Sequence, residues 1–339
     1  MPTPKTALLC CLLAIPLDAQ RGRESRRAPK LEHGVFEIER FESEAIDGKA
    51  EYGIYLPNGY HDEANAERRY PLVIWLHGLN EDHQRFHRRG GAAVLDEMVG
   101  AEDFPQAIFV TPNGGRSFYI NGGDAKRYED LITVDLMEHI ERTYRVAAKR
   151  SQRALMGVSM GGYGALKIAL RHPQLFGVVA AHSAAILPRD PSTLEDKFPW
   201  LKRWGGAQRL ARSLFGDPLD QERWDAENVL AIGDGLDRAE LAGMKIYIDC
   251  GDEDRYGFAE PNGELHEILS EKKISHTWRL VEGGDHGWRS NYNQRALPHS
   301  LKFVAAAWAA GKGTSGLEGL FRRGDPDETG RGGGKNQRR

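Results

Sequence analysis

The apolar positions along the chain predict a sheet of parallel strands separated by helices. Short apolar runs bounded by turn residues are typical of buried strands, and they alternate with longer amphipathic stretches that are typical of helices. The predicted strands are Leu72–Leu76, Ala107–Thr111, Arg153–Met156, Gly177–His182, Lys245–Gly251 and His276–Val281. The predicted helices are Ala92–Val99, Tyr128–Tyr144, and stretches within Glu264–Lys273 and Gln294–Ala310. This alternation indicates an α/β fold with helices on both faces of the sheet.

Two extended runs near the start of the chain depart from the alternation. Val35–Ser43 and Ala50–Leu56 are partly alternating and are joined at Asp47-Gly48. Such a pair predicts an antiparallel hairpin, which we expect at one edge of the sheet.

A second departure is the segment from Leu187 to Met244, which is longer than a connection between two strands needs. We interpret it as a cap inserted into the fold. Its aromatic residues are Phe198, Trp200, Trp204, Phe215 and Trp224. They either pack the insertion against the body of the protein or line a pocket, and packing is the commoner use.

The two ends of the chain lie outside this pattern. Residues 1–19 contain one lysine, an apolar run from Ala7 to Leu17, and Ala19 at a cleavage position, which predicts a signal peptide and a secreted or periplasmic protein. A lipoprotein signal using Cys10 or Cys11 and a buried helix are the alternatives. Residues 20–34 read as a basic linker, residues 35–310 as the folded domain, and the glycine-rich, charged residues 311–339 as a disordered tail.

Composition and charge narrow the class of protein. The chain has 339 residues, 40% of them hydrophobic, which is enough for a sizeable core. The positive charge is concentrated at the two ends, so the body between them is acidic, which argues against nucleic-acid binding. After the predicted signal peptide, no stretch is long and apolar enough for stable membrane insertion. Cys250 would then be the only cysteine, so no internal disulfide is expected. The oligomeric state stays open.

The candidate chemistry centres on Gly157-Val158-Ser159-Met160-Gly161, which follows a predicted strand and opens a helix that ends before His172-Pro173. A serine in a turn of this kind adopts a strained backbone conformation that lifts its hydroxyl clear of the sheet. The flanking glycines let the helix pack close to the strand. We therefore expect Ser159 to be a nucleophile.

A serine nucleophile needs a base within hydrogen-bonding reach and a carboxylate that orients the base. With the order Ser, acid, His along the chain, the acid should follow the strand ending at Gly251, which offers Asp252 and Asp254. Asp254 is the preferred candidate. The base should follow the last strand, which offers His286, because His266, His276 and His299 fall within predicted helices or strands.

Charge that develops on a carbonyl oxygen needs fixed hydrogen-bond donors. The backbone N–H of Met160, directly after the serine, is one candidate, and that of Leu79 in the loop after Leu72–Leu76 is the other. His77 in the same loop is expected to support the loop rather than to carry a proton.

A metal site is the main competing chemistry. His83 and His87 are four residues apart beside Glu81 and Asp82, but the metalloprotease pattern requires Glu where this chain has Gln84. Loop histidines without a metal are the better interpretation, and no cofactor is predicted.

Several of these motifs, taken in order, resemble the esterase D or putative esterase family of α/β-hydrolases. They are Trp75-Leu76-His77-Gly78, Arg127-Tyr128-Glu129-Asp130, Gly157 to Ala165, Phe215-Gly216-Asp217-Pro218 and Asp225-Ala226-Glu227-Asn228. The family includes S-formylglutathione hydrolases, feruloyl and acetylxylan esterases, and mycolyltransferases. The resemblance implies an α/β-hydrolase fold of about eight strands, with the cap between strands 6 and 7. It also implies Asp254 as the acid, from the Gly251-Asp252-Glu253-Asp254 turn, and His286 as the base. One departure is Asp285, an acid directly beside the base.

The predicted function is a secreted serine carboxylic ester hydrolase that forms an acyl-enzyme on Ser159 and acts on a small-molecule or carbohydrate ester. The alternative is an acyltransferase that passes the same acyl group to a sugar or lipid alcohol. A catalytically inactive binding module on the same fold is a further alternative, which an intact triad disfavours.

Overall fold

The computed structural model describes residues 28–123, 126–200, 207–286 and 292–310. The predicted signal peptide, most of the predicted basic linker and the predicted tail lie outside the described residues, as does Trp204 of the insertion.

An eight-stranded, mostly parallel sheet forms the centre of the protein. Its strands lie in the order β1-β2-β4-β3-β7-β8-β9-β10, and β5 pairs with β6 in a separate two-stranded sheet. The strands are β1 Gly34–Ser43, β2 Gly48–Pro57, β3 Leu72–Leu76, β4 Ile108–Pro112, β5 Asn121–Gly123, β6 Lys126–Arg127, β7 Arg153–Val158, β8 Val178–His182, β9 Lys245–Gly251 and β10 His276–Val281. β1 and β2 form the predicted antiparallel hairpin at one edge, and β2 pairs with β4 antiparallel. The remaining neighbours of the main sheet, from β4 through β3, β7, β8 and β9 to β10, pair in parallel.

The helices connect these strands. They are α1 Arg85–Arg88, α2 Gly91–Gly100, α3 Tyr128–Asp130, α4 Leu136–Thr143, α5 Met160–Arg171, α6 Leu194–Lys197, α7 Ala207–Phe215, α8 Gln221–Glu227, α9 Val229–Gly235, α10 Ala259–Glu271 and α11 Tyr292–Ala310. A π-helical turn, Leu131–Asp135, joins α3 to α4, so the predicted helix Tyr128–Tyr144 is continuous but not regular. α10 begins five residues before its predicted stretch, because Pro261 in its first turn needs no N–H partner.

The core lies on both faces of the sheet. Leu72, Ile74 and Leu76 of β3 belong to one hydrophobic cluster together with α5, whereas Val73 and Trp75 belong to a second cluster together with α2 and α11. Alternate side chains of a strand point to opposite faces. The continuous apolar run of β3 therefore reflects burial on both sides, as predicted.

The inserted segment joins β8 to β9, which are the sixth and seventh strands of the main sheet, as predicted. Phe198, Phe215 and Trp224 are buried, and the Trp224 indole N–H donates to the carbonyl oxygen of Pro188 at 2.9 Å. These aromatic residues therefore pack the insertion onto the body, and all three also line an apolar pocket. Within the parts of the chain that the structure describes, no helix has the length and apolar composition needed to cross a membrane.

Candidate active site

Ser159 lies in the turn between β7 and α5 with a strained backbone. Its φ and ψ are 57° and −121°, a conformation that side-chain-bearing residues rarely adopt. Three backbone hydrogen bonds of 2.9 Å hold the turn: the Ser159 N–H donates to His182, and the Ser159 carbonyl accepts from Tyr163 and Ala185. The residue is partly exposed. The predicted strand–turn–helix geometry at Ser159 is therefore present.

The glycines beside Ser159 are required by close backbone contacts. A Cβ atom on Gly157 would lie 2.2 Å from the Gly161 carbonyl oxygen, and one on Gly161 would lie 1.9 Å from the Leu76 carbonyl oxygen. Both distances are far below contact distance, so any side chain would push α5 away from β7 and β3.

His286 and Asp254 form a hydrogen-bonded pair. The His286 Nδ1 lies 2.8 Å from Asp254 Oδ2, and the Tyr256 N–H donates to Asp254 Oδ1 at 2.9 Å. Asp254 is 8% exposed, whereas Asp252 of the same turn is exposed. Burial alone would raise the pKa of Asp254, but the hydrogen bond and charge of His286 hold that pKa below its usual value. The structure thus brings Asp254, and not Asp252, to the histidine.

Ser159 and His286 line one cavity of about 330 Å³ at the carboxyl edge of the sheet, which we call the catalytic cavity. The His286 ring packs edge-on against Tyr256, with ring centroids 4.6 Å apart, and lies 5.5 Å from the ring of Phe258. Because parallel strands end at the same edge, the loops after β7, β9 and β10 meet there. Ser159 and His286 therefore line the same cavity although they are far apart in sequence, and Asp254 is joined to His286 by its hydrogen bond.

Met160 and Leu79, the predicted oxyanion donors, also line the catalytic cavity. Met160 is the first residue of α5, and N–H groups in the first turn of a helix have no partner within the helix. Leu79 lies in the loop after β3, where Glu81 accepts a hydrogen bond from the Gly78 N–H at 3.0 Å. A Cβ on Gly78 would lie 3.5 Å from the Cβ of Ser159, so this loop passes directly beside the serine.

His77 supports the same loop. Its Nε2 accepts a hydrogen bond from the Gly114 N–H at 2.9 Å, so the ring proton is on Nδ1, which donates to the Gly78 carbonyl oxygen at 2.8 Å. Burial lowers the pKa of His77. Both ring nitrogens are thus engaged by neighbouring loops, as expected for a supporting residue.

Asp285, the departure from the family pattern, forms an ion pair with Arg255. Its Oδ1 also accepts hydrogen bonds from the Arg255 Nε at 2.8 Å and from the His286 backbone N–H at 2.6 Å. The carboxylate therefore holds the backbone of the base in position. Sequence reasoning identified Asp285 but missed Arg255, which carries no signal apart from its place beside Asp254.

A buried charge cluster behind the site was also missed. Lys167 on α5 is fully buried, and its Nζ lies 2.7 Å from Glu129 and 2.6 Å from Glu227, and donates to the Tyr119 carbonyl oxygen at 2.8 Å. The Tyr119 hydroxyl in turn donates to the His77 carbonyl oxygen at 3.2 Å. The cluster therefore connects the inserted segment to the loop after β3 that contains His77 and Leu79. Both glutamates lie in motifs that carried the family resemblance, which is the signal that could have revealed it.

The structure offers no support for a metal at His83 and His87. Among the described residues, no three His, Cys, Asp or Glu side chains lie close enough together to hold a metal ion. The His87 ring stacks on Phe36 with centroids 4.7 Å apart, and burial lowers the pKa of both histidines.

The strand order, the serine turn after β7 and the insertion after β8 are those of an α/β-hydrolase, and the turn places this chain among the serine esterases of that fold. The chain belongs to the family described as "Putative esterase", whose model matches residues 43–303.

Individual relatives agree with this assignment. The fold is similar to a solved ferulic acid esterase, with a TM-score of 0.66 and 26% identity over 81% of this chain and 100% of that one. It is also similar in fold to an S-formylglutathione hydrolase from Agrobacterium tumefaciens, with a TM-score of 0.63 and 18% identity over 83% of this chain and 98% of that one. In sequence, the chain is 29% identical over 200 residues to Esterase Rv1288 of Mycobacterium tuberculosis (strain ATCC 25618 / H37Rv). That match covers 56% of this chain but only 41% of the mycobacterial protein.

Proposed function

We propose that the protein hydrolyses carboxylic esters through Ser159, His286 and Asp254. The observation that carries this proposal is the catalytic cavity. It is lined by a serine on a strained turn and by a histidine whose Nδ1 is hydrogen-bonded to the buried carboxylate of Asp254. The name of the similar ferulic acid esterase supports ester chemistry for this chain.

In the first half of the reaction, the Ser159 oxygen attacks the ester carbonyl carbon while His286 accepts the serine proton on Nε2. Asp254 keeps the other ring proton on Nδ1 and stabilises the positive ring. The N–H groups of Leu79 and Met160 then stabilise the negative oxygen, each by ~3 kcal/mol. The bond from carbon to the alcohol oxygen breaks, His286 gives its proton to that oxygen, and an acyl-enzyme remains.

In the second half, water replaces the alcohol. His286 removes a proton from the water as the water oxygen attacks the acyl carbon, and the proton returns to Ser159 when the acid leaves. The net reaction consumes one water and releases one acid and one alcohol.

A panel of aryl esters tests this proposal, with the wild-type protein compared with Ser159→Ala. We expect the substitution to lower kcat by about 10³-fold or more, because the oxyanion donors alone retain only part of the catalysis. Ser270→Ala, on an exposed helix position, is the control and should keep full activity. A fluorophosphonate probe should label the wild type and the control but not Ser159→Ala. Hydrolysis that survives in Ser159→Ala would refute the mechanism.

The same acyl-enzyme is the intermediate of an acyltransferase, so the two activities differ only in the acceptor. Adding sugar or lipid alcohols to the ester assay measures how the acyl group partitions between water and the acceptor. A hydrolase should give mostly free acid, and a predominant new ester would favour the acyltransferase.

We also propose that the protein is exported by a signal peptide at residues 1–19. The support is the short apolar run followed by Ala19. N-terminal sequencing of the protein recovered outside the cytoplasm should begin near Gln20, whereas an intact Met1 would contradict export by cleavage.

A further inference from the structure

A second, almost wholly apolar space lies directly beside the catalytic cavity. It has a volume of about 60 Å³, and we call it the acyl chamber. The inserted segment supplies one side of it, with Leu194, Phe198, Leu214, Phe215 and Trp224. Among the described residues that line it, Arg116 alone is charged, and Arg116 is exposed.

The acyl chamber and the catalytic cavity share a wall. Five residues line both spaces: Leu79, Phe118, Ala185, Trp200 and Phe258. Two of these are tied to the reacting atoms, since Leu79 is a proposed oxyanion donor and the Ala185 N–H donates to the Ser159 carbonyl oxygen at 2.9 Å. The acyl chamber is therefore lined by a residue that is hydrogen-bonded to the backbone of the nucleophile.

The chemistry of the proposed mechanism decides which half of the ester faces the chamber. His286 must give a proton to the alcohol oxygen, so the alcohol must lie against His286. His286, Tyr256 and Arg255 line the catalytic cavity but not the acyl chamber. The alcohol therefore occupies the more polar cavity, and the acyl group extends the other way, past Leu79 and Ala185.

The size of the chamber limits the acyl group. At ~10–15 Å³ for each water-sized group, a space of about 60 Å³ holds roughly four to six non-hydrogen atoms. A saturated chain of that size has no polar atoms and matches the apolar lining. Resting on the hydrolase function proposed above, we infer that the acyl chamber binds short aliphatic acyl groups, from pentanoyl to heptanoyl, whose four to six carbons beyond the carbonyl fill it, and so determines the acid half of the substrate.

A series of p-nitrophenyl esters from acetyl to dodecanoyl tests this inference, because only the acyl group changes. We expect kcat/KM to rise by up to roughly fourfold for each methylene after acetyl, since each added methylene leaves water for an apolar site. The maximum should fall between pentanoyl and heptanoyl. From octanoyl onward the chain exceeds the chamber, and kcat/KM should fall.

Two substitutions in α7 change the chamber volume in opposite directions. Leu214→Ala enlarges it by three carbon atoms and should raise the octanoyl-to-butanoyl ratio of kcat/KM by about tenfold or more. Ala211→Leu fills it and should lower the hexanoyl-to-acetyl ratio by a similar factor. Leu241→Ala is the matched control, because Leu241 is a buried leucine of the inserted segment that does not line the chamber. Leu241→Ala should keep the wild-type dependence of kcat/KM on acyl-chain length even if its stability falls.

The outcomes separate this inference from the proposed function. Ester hydrolysis that needs Ser159 but shows no preference among acyl groups, or prefers dodecanoyl or an aromatic cinnamoyl ester, would overturn the acyl chamber and leave the hydrolase intact. Unchanged ratios in both Leu214→Ala and Ala211→Leu would also overturn it. Absence of any Ser159-dependent hydrolysis would instead refute the proposed function.

Discussion

The choice between two aspartates in one turn gives the sharpest test at the scale of single residues. Asp254→Asn keeps the shape of the side chain but removes the charge that fixes the Nδ1 proton of His286, so we expect kcat to fall by about 10³–10⁴-fold. Asp252→Asn, two residues away and exposed, should leave kcat unchanged. Steady-state ester hydrolysis by the two variants decides the matter, and equal losses in both would contradict the assignment of Asp254.

The glycines offer a second test at this scale. Gly161→Ala would place a Cβ 1.9 Å from the Leu76 carbonyl oxygen, so β3 and α5 could not both keep their positions. We expect kcat to fall by several orders of magnitude or the protein to fail to fold. In Gly263→Ala, within helix α10, the new Cβ meets nothing within 4 Å. That control should stabilise the protein by about 0.5–1 kcal/mol, as alanine does in helix interiors. Thermal unfolding and activity together measure both effects.

Some single-residue features of the site could be predicted from the sequence, and others could not. The serine turn could be predicted because glycine spacing and strain are local properties. Asp254 and His286 needed the additional rule that parallel strands end at one edge. The pairing of Arg255 with Asp285 could not be predicted, because which way a surface arginine turns depends on contacts that form only in the folded chain.

At the scale of elements, the buried cluster around Lys167 joins α3, α5 and α8. Burial alone would raise the pKa of Glu129, but the hydrogen bond from His172 and the charge of Lys167 lower it to about 2. The ordinary value is 4.5. Between these values the unfolded chain binds more protons at Glu129 than the folded protein does. This carboxylate therefore stabilises the fold above pH 4.5, and its contribution is lost as the pH falls toward about 2.

We expect Glu129→Gln to flatten the pH dependence of stability over that interval. Between pH 6 and pH 3 the loss of stability should shrink by about 2 kcal/mol, because the rest of the contribution of Glu129 is lost only below pH 3. Urea unfolding at pH 3 and pH 6 measures it. Glu240→Gln, at an exposed position, is the control and should retain the wild-type dependence. An unchanged pH dependence of stability in Glu129→Gln would show that the ionised Glu129 does not stabilise the fold as proposed.

The elements themselves were predictable to different degrees. Strands such as β3 and β4 are buried on both faces, so their apolar runs end where the strands end, within about a residue. The helices of the insertion were not predicted individually. α6, α8 and α9 have only four, seven and seven residues, too few to show a helical period clearly, whereas α7 has an amphipathic pattern that the sequence reasoning missed. Lys167 lies within the apolar face of α5, where its charge is met by glutamates from distant parts of the chain.

At the scale of the whole molecule, the family match ends at residue 303 and the described fold closes with α11. We therefore expect a chain of residues 28–310 to keep the kcat/KM and melting temperature of the full chain. A chain that stops before α11 should behave differently, because Leu297, Leu301, Val304 and Trp308 fill the second hydrophobic cluster. Four buried side chains of this kind contribute about 1.5–3 kcal/mol each, which is comparable to the whole stability of a typical domain. Thermal unfolding of the two truncated chains tests the expectation. If residues 28–310 fail to fold, the domain limits predicted from the sequence are too narrow, and if the chain without α11 remains folded and active, the second cluster does not have the stabilising role assigned to it.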